Sequence, residues 1–339
     1  DRLSYPLTYW NAYGALAAVG AVLAAGMGSD PRAPVAVRAL CGAAVVPLAD
    51  AVYLSLSRGT WLALMVGAVV LVALGAHRGS LLLTVGVSGT AATLAILGGP
   101  VVPLAAAAGG GIAVIAAGRA SPLFMQALRR VVWPLLIALA GLAVVAALVG
   151  YAVKADAVEG HSDRALRSAR GFVSRQWQDF LRPTTGVEQG RARLTTAKGT
   201  RSDLYRVAFD GFEANPLHGD GAGGFTVRWM QHRSVYEQVR DAHSLELETL
   251  GELGVVGGLL LLGFLVTIGW AAVTSRIRPG ALPRSHAAAV GAACSVWVAH
   301  SAVDWDWQMP ALTGCVLVLA ATLYPVGRRR RTGVGSPEG

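Results

Sequence analysis

Residues 241–258 read Asp-Ala-His-Ser-Leu-Glu-Leu-Glu-Thr-Leu-Gly-Glu-Leu-Gly-Val-Val-Gly-Gly. A long polar region ends here and a long apolar helix begins, with His243 and Ser244 at the seam. Gly251, Gly254 and Gly258 recur at three- and four-residue steps, so on a helix they share roughly one face. Gly254 and Gly258 form a small-xxx-small pair, which lets another helix approach closely within a membrane. The stretch reads as a polar residue held at a membrane surface by a tightly packed helix. Histidine changes charge near neutral pH, which suits proton transfer or anion binding.

The rest of the 339 residues fits that frame. They are 54% hydrophobic and 14% charged, with a mean hydropathy of +0.50, against about 25% charged residues in soluble domains. Nine apolar runs have spanning length: roughly 8–27, 35–55, 60–76, 80–98, 101–118, 131–153, 246–272, 285–303 and 309–326. Each is near the ~20 residues that cross a bilayer core. The expected fold is an all-α polytopic bundle of about nine transmembrane helices with one large outer helical loop. The runs at 80–98 and 101–118 are broken by Gly98-Gly99-Pro100, and a re-entrant pair is the alternative there.

Positive charge sets the sides. Arg328-Arg329-Arg330-Arg331 is placed in the cytoplasm, which puts the joints with Arg276, Arg278 and Arg284, with Arg119, Arg129 and Arg130, with Arg78, and with Arg32 and Arg38 inside as well. The net charge of +9 is thereby accounted for, and no nucleic-acid partner is expected. The chain divides into a bundle at 1–153, an extracytoplasmic loop at 154–242, three C-terminal spans at 243–327 and a basic tail at 328–339. It opens at Asp1 almost directly on a span, so earlier spans of a longer protein are expected. Cys41, Cys294 and Cys315 lie inside apolar runs and suggest neither a disulfide framework nor a metal cluster.

One outer joint breaks the charge rule. Leu56-Ser57-Arg58-Gly59-Thr60 carries an arginine on the outer side, where it serves either a ligand or the headgroups. In the outer loop, residues 162–180 place Leu166, Ala169, Val173, Trp177 and Phe180 on one stripe of an amphipathic helix. Residues 183–200 read as loop and 202–214 as a second helix, stopped by Asn215-Pro216. A glycine-rich turn follows at Pro216–Phe225; it lacks the Gly-Lys-Ser/Thr ending of a phosphate-binding P-loop.

The run His243-Ser244, nine residues, Gly254, two residues, Gly257 resembles the signature of the O-antigen ligase and polymerase superfamily. Ser57-Arg58-Gly59-Thr60-Trp61 is similar to a joint of that family. Arg206, seven residues before Glu213, with Asn215-Pro216-Leu217 and Gly219-x-Gly221-x-Gly223-x-Phe225, resembles another block, and Tyr9-Trp10-Asn11-Ala12 the entry to an earlier span. The resemblance implies a GT-C-like membrane glycosyltransferase at the cytoplasmic membrane. Its donor is a glycan on undecaprenyl pyrophosphate, presented on the outer face. The acceptor is a hydroxyl on a glycan, a lipid or a protein, and no cofactor is needed. It implies that Arg58 and Arg206 hold the pyrophosphate, and that His243 accepts the acceptor's proton or binds phosphate. Arginine suits a pyrophosphate through fixed charge and forked hydrogen bonds.

Secondary candidates are Asp50, an intramembrane carboxylate that pairs with Arg58 or lines the donor cavity; Asn11; His218 and Asp220 in the glycine-rich turn; and Ser244. His300 reads as helix packing. Asp304 and Asp306 are a weaker alternative as a divalent-metal turn, since two carboxylates in an outer joint equally fit the charge bias. A repeat-unit polymerase is the neighbouring alternative. A lipid-glycan flippase is the alternative from another class, although the polar candidates cluster at the outer surface and not at mid-membrane.

Overall fold

The first described helix, α1 (Trp10–Gly28), is largely enclosed in a computed structural model that describes residues 4–82, 84–86, 109, 171, 174–182, 199–275 and 282–324. Its sequence is mostly Ala, Gly and Val, and small side chains let neighbours close in. A Cβ at Gly26 would stand 2.5 Å from Ala289 Cβ. Around α1 pack α2 (Val35–Ser55) and α3 (Arg58–Leu74). A segment outside this bundle, with a core of its own, supplies α4 (Arg201–Ala214) and α5 (Gly224–His232). The chain then re-enters the bundle through α6 (Leu245–Thr274), α7 (Arg284–Ser301) and α8 (Pro310–Ala321). Every regular element among the described residues is helical.

By length and apolarity α1, α2 and α6 can each cross a bilayer, and α3 and α8 are shorter apolar helices. On α6 the large side chains Leu259, Leu260, Leu262, Val266 and Trp270 are exposed, as expected of a face turned to lipid. Of the expected spans, 101–118 and 131–153 lie outside the described residues almost entirely. The run at 80–98 is described only at its start, where residues 80–82 and 84–86 are helical. The basic tail, the joint at 276–281 and most of the stripe at 162–180 also lie outside; residues 171 and 174–180 of that stripe are helical.

The outer segment has its own core of Leu204, Val207, Ala208, Phe225, Trp229 and Ala242. The helix expected at 202–214 is α4, one residue longer at its start.

The long helix α6 is broken. Gly254 has φ 62° and ψ −160°, far from helical values. The glycine-rich turn fills the break. The N–H of Asp220 donates to the carbonyl of Gly251 at 3.0 Å, and that of Gly221 to the carbonyl of Glu252 at 2.8 Å. On the other side of the break, the Val255 N–H donates to the carbonyl of Pro216 at 2.8 Å. These bonds satisfy backbone groups that the break would otherwise strand. The expected packing face is therefore corrected: Gly254 is not in helical conformation, and its close neighbour is the glycine-rich turn. Gly251 is met by the backbone of α4, where an added Cβ would stand 2.5 Å from the carbonyl oxygen of Ala208.

Candidate functional site

The helix ends at one end of the bundle meet the outer segment. Ser55 closes α2 and Leu56 caps it in a left-handed conformation, φ 50°. Ser57 then caps α3, accepting from the Thr60 N–H at 3.3 Å, which sets Arg58 at the first helical position. The Thr60 hydroxyl lies 3.3 Å from Nε2 of the fully buried His300, whose Nδ1 is bonded to Asp306. Gly59 keeps this approach open, since a Cβ there would stand 3.3 Å from His300 Nε2.

Asp304 is the hub of the arrangement and is 1% exposed. It accepts from the Tyr9 hydroxyl at 2.7 Å, Asn11 Nδ2 at 2.6 Å, Arg201 Nη2 at 2.7 Å and the Trp305 N–H at 3.0 Å. Burial pushes its carboxyl upward, but the Arg201 guanidinium and the neighbouring histidines and donors outweigh that and hold it below the usual carboxylate range. Asp304 is therefore a carboxylate at neutral pH. It fixes Arg201 through one terminal nitrogen, and a guanidinium has further N–H donors to offer. Trp305 packs its ring 4.8 Å from Tyr9 and 6.5 Å from the His243 ring, centroid to centroid.

His243 has φ 56°, a left-handed conformation that histidine adopts more readily than most side chains. It precedes Ser244, which caps α6 by accepting from the Leu247 N–H at 3.3 Å. The Tyr205 hydroxyl donates to the His243 carbonyl at 3.3 Å, and His243 Nδ1 lies 3.1 Å from the Asp241 carbonyl.

These groups enclose a cavity of about 590 Å³, whose wall includes Tyr9, Asn11, Arg58, Arg201, Tyr205 and His243. Arg58 and His243, 185 residues apart in the chain, thus share one hollow with Arg201. Asn11 lines it and also braces Asp304.

Arg206 lies elsewhere. Its guanidinium holds Asp203 at 2.6 Å, Asp210 at 2.9 Å and the His232 carbonyl at 2.8 Å, joining α4 to the end of α5. Asp203 also accepts from the Ser234 N–H at 2.7 Å. Burial pushes the Asp203 carboxyl upward, and the Ser234 and Arg206 donors more than reverse it, so the net direction is downward. A depressed carboxyl adds stability that is present above its ordinary value of about 3.9 and is lost as pH falls through the lower folded value. Asp203→Asn is accordingly expected to destabilise the solubilised protein by about 1–3 kcal/mol at pH 7. The gap from wild type narrows as pH drops below about 4, as melting curves across pH 3–7 would reveal.

The remaining candidates are placed as follows. Ser244 is the α6 cap. Asp220 pairs with Arg228, accepts from Asn215 at 2.9 Å, and so braces the glycine-rich turn. His218 has Nδ1 3.0 Å from the Gly219 carbonyl. Asp50 is half-buried on α2 and is not among the cavity's wall residues. Asp304 and Asp306 hold different partners, Arg201 and His300.

Residues 94–262 match the family model described as O-antigen ligase. The chain belongs to the O-antigen ligase superfamily. It is a membrane protein with a function of the O-antigen ligase or polymerase type. The match covers Arg201, Arg206, the glycine-rich turn, His243 and the break at Gly254, while Arg58 and Asp304 stand on either side of it. No relative among curated proteins matches the chain.

Arg201 is the residue that sequence reasoning missed. Two signals were present. Tyr205 stands one turn beyond it on the same helix face, and Arg206 is flanked by Asp203 and Asp210 at the i−3 and i+4 positions that pair charges on a helix.

Proposed function

We propose that this O-antigen ligase superfamily member transfers a glycan from an undecaprenyl-pyrophosphate carrier to an acceptor hydroxyl, with inversion and without a metal ion. The observation that carries the reading is the convergence of Arg58, Arg201 and His243, from three separate parts of the chain, on one cavity. Two guanidinium groups supply fixed positive charge for a departing lipid pyrophosphate, the task a divalent cation performs in other sites. Arg201 takes the place in this reading that Arg206 held in the sequence-based one. His243 stands beside Trp305 and Asp304, next to the Arg201 pair, and serves the phosphate side.

The surrounding architecture is a GT-C-like bundle of about nine spans in the cytoplasmic membrane. The loop 154–242 faces outward and the tail from Arg328 faces the cytoplasm. That orientation places the cavity where lipid-linked glycans are presented and nucleotide sugars are not. Acceptors are a glycan, a lipid or a protein; joining repeat units to one another makes the protein a polymerase, capping a different acceptor a ligase.

The test is transfer in proteoliposomes with chelator present, using lipid extract from cells that lack the protein, in which donor and acceptor accumulate together. Arg58→Ala and His243→Ala are each expected to lower transfer about 10²–10³-fold at unchanged protein level, the effect of removing one preorganised charge-stabilising group. Movement of the donor across the bilayer with no new glycosidic bond would make the protein a flippase instead.

A further inference from the structure

The cavity wall contains one group that a pyrophosphate cannot use. Glu237 lies on the extended stretch between α5 and α6 and faces the cavity. Its backbone is fixed on three sides. The Glu237 carbonyl accepts from Trp229 Nε1 at 2.8 Å and from Arg233 Nη1 at 2.9 Å, and its N–H donates to the Val235 carbonyl at 3.1 Å. Trp229 is fully buried in the core of the outer segment, so the strand of chain that presents Glu237 is anchored on a rigid support.

The side chain itself is not so engaged. Glu237 Oε2 is buried and has no hydrogen-bond partner among the described residues. A buried acceptor without a donor is costly and rare. In this conformation Oε2 is closed off from the cavity that Glu237 borders, and it gains a partner when the carboxylate turns toward a donor that arrives with a ligand. A phosphate brings negative charge and lone pairs, and is repelled. A sugar or lipid hydroxyl brings an O–H. Phe180 and Tyr205 share the wall with Glu237, and Phe180 stacks on Trp177 at 5.8 Å. The cavity thus combines cations with a carboxylate and aromatic rings, which is the composition needed to hold two chemically different ligands.

We propose that Glu237 binds the acceptor hydroxyl and takes its proton during transfer. The inference rests on the transferase reading above and names the group that serves the second substrate. In the step, the acceptor oxygen bonds to the anomeric carbon while the bond from that carbon to the phosphate oxygen breaks. The lipid pyrophosphate leaves with the electron pair toward Arg58 and Arg201. The hydroxyl proton passes to the Glu237 carboxylate, which returns it to water. A positioned general base of this kind accelerates by about 10²–10⁴-fold.

The test compares Glu237→Gln and Glu237→Asp in the full chain, in proteoliposomes with the same lipid extract, alongside binding of undecaprenyl pyrophosphate as a probe of the cationic side. Glu237→Gln is expected to cut turnover by about 10²-fold or more, with probe binding within about twofold of wild type and an unchanged melting temperature. Glu237→Asp keeps the base on a shorter arm and is expected to recover part of the turnover. Wild-type turnover in Glu237→Gln overturns the proposal. So does a parallel loss of probe binding or of folding, which would give the carboxylate a structural role. If wild-type protein itself makes no glycosidic bond, the transferase reading is what fails, and the two outcomes are separate.

Discussion

Arg201→Ala is expected to lower glycan transfer by about 10²–10³-fold, whereas Arg206→Ala keeps turnover within a few-fold of wild type. The two arginines lie on one helix five residues apart, and at 100° per residue they point in quite different directions. Arg201 lines the cavity with Arg58 and His243. Arg206 is engaged by Asp203, Asp210 and the His232 carbonyl, and its loss is read as stability. Arg201→Ala carries a complication that must be separated from catalysis. It leaves Asp304, 1% exposed, without its cation. Orphaning one member of a buried pair costs about 3–5 kcal/mol. The double variant Arg201→Ala/Asp304→Asn removes the stranded charge. It is expected to recover much of the melting temperature and none of the transfer. Arg201→Lys tests geometry: it keeps the charge but loses the planar fork that reaches Asp304 and a phosphate at once. Equal transfer losses in Arg201→Ala and Arg206→Ala, at equal melting temperatures, would remove the distinction.

That contrast shows where the sequence was legible. Apolar runs of spanning length located the described bundle helices, because length and composition are local properties. The αL caps and tight turns of Gly219, Gly221 and Gly223 follow from the Gly spacing in the same way. The site depends on faces and on distant partners, which local pattern does not carry. Arg58 and His243 stand in the sequence as separate motifs. That they share a cavity rests on how α3, α6 and the outer segment pack. Asp304 offered two sequence readings, a metal turn or an orientation charge. Its actual partner, Arg201, lies 103 residues earlier in the chain. Glu237 sits in a stretch with no periodicity, and no sequence signal marks it. In sequence Gly254 reads as part of a packing face, because glycine at a helical step in an apolar run looks the same whether the helix continues or breaks.

Gly254→Ala therefore decides between those two pictures. At φ 62° and ψ −160° the backbone occupies a region that only glycine adopts without strain, and forcing another residue there costs about 1–3 kcal/mol. The added methyl also has no space. It would stand 2.4 Å from the Leu217 carbonyl carbon and 2.5 Å from the His218 nitrogen, and both are backbone atoms that cannot swing aside. Relief requires moving the glycine-rich turn, which breaks the bonds from Asp220 to Gly251 and from Gly221 to Glu252. The first segment of α6 then loses its brace, and with it the seat of Ser244 and His243 at the cavity. Gly254→Ala is expected to lower the melting temperature and to remove transfer together. Gly258→Ala is the control. Its methyl would stand 2.7 Å from Leu250 Cδ2, the far end of a side chain that can rotate, so near wild-type behaviour is expected. A continuous helix with a Gly254–Gly258 packing face predicts the opposite pattern, in which both substitutions loosen one interface by similar amounts. Melting temperatures of the two variants, measured side by side in detergent, separate a broken helix from an unbroken one.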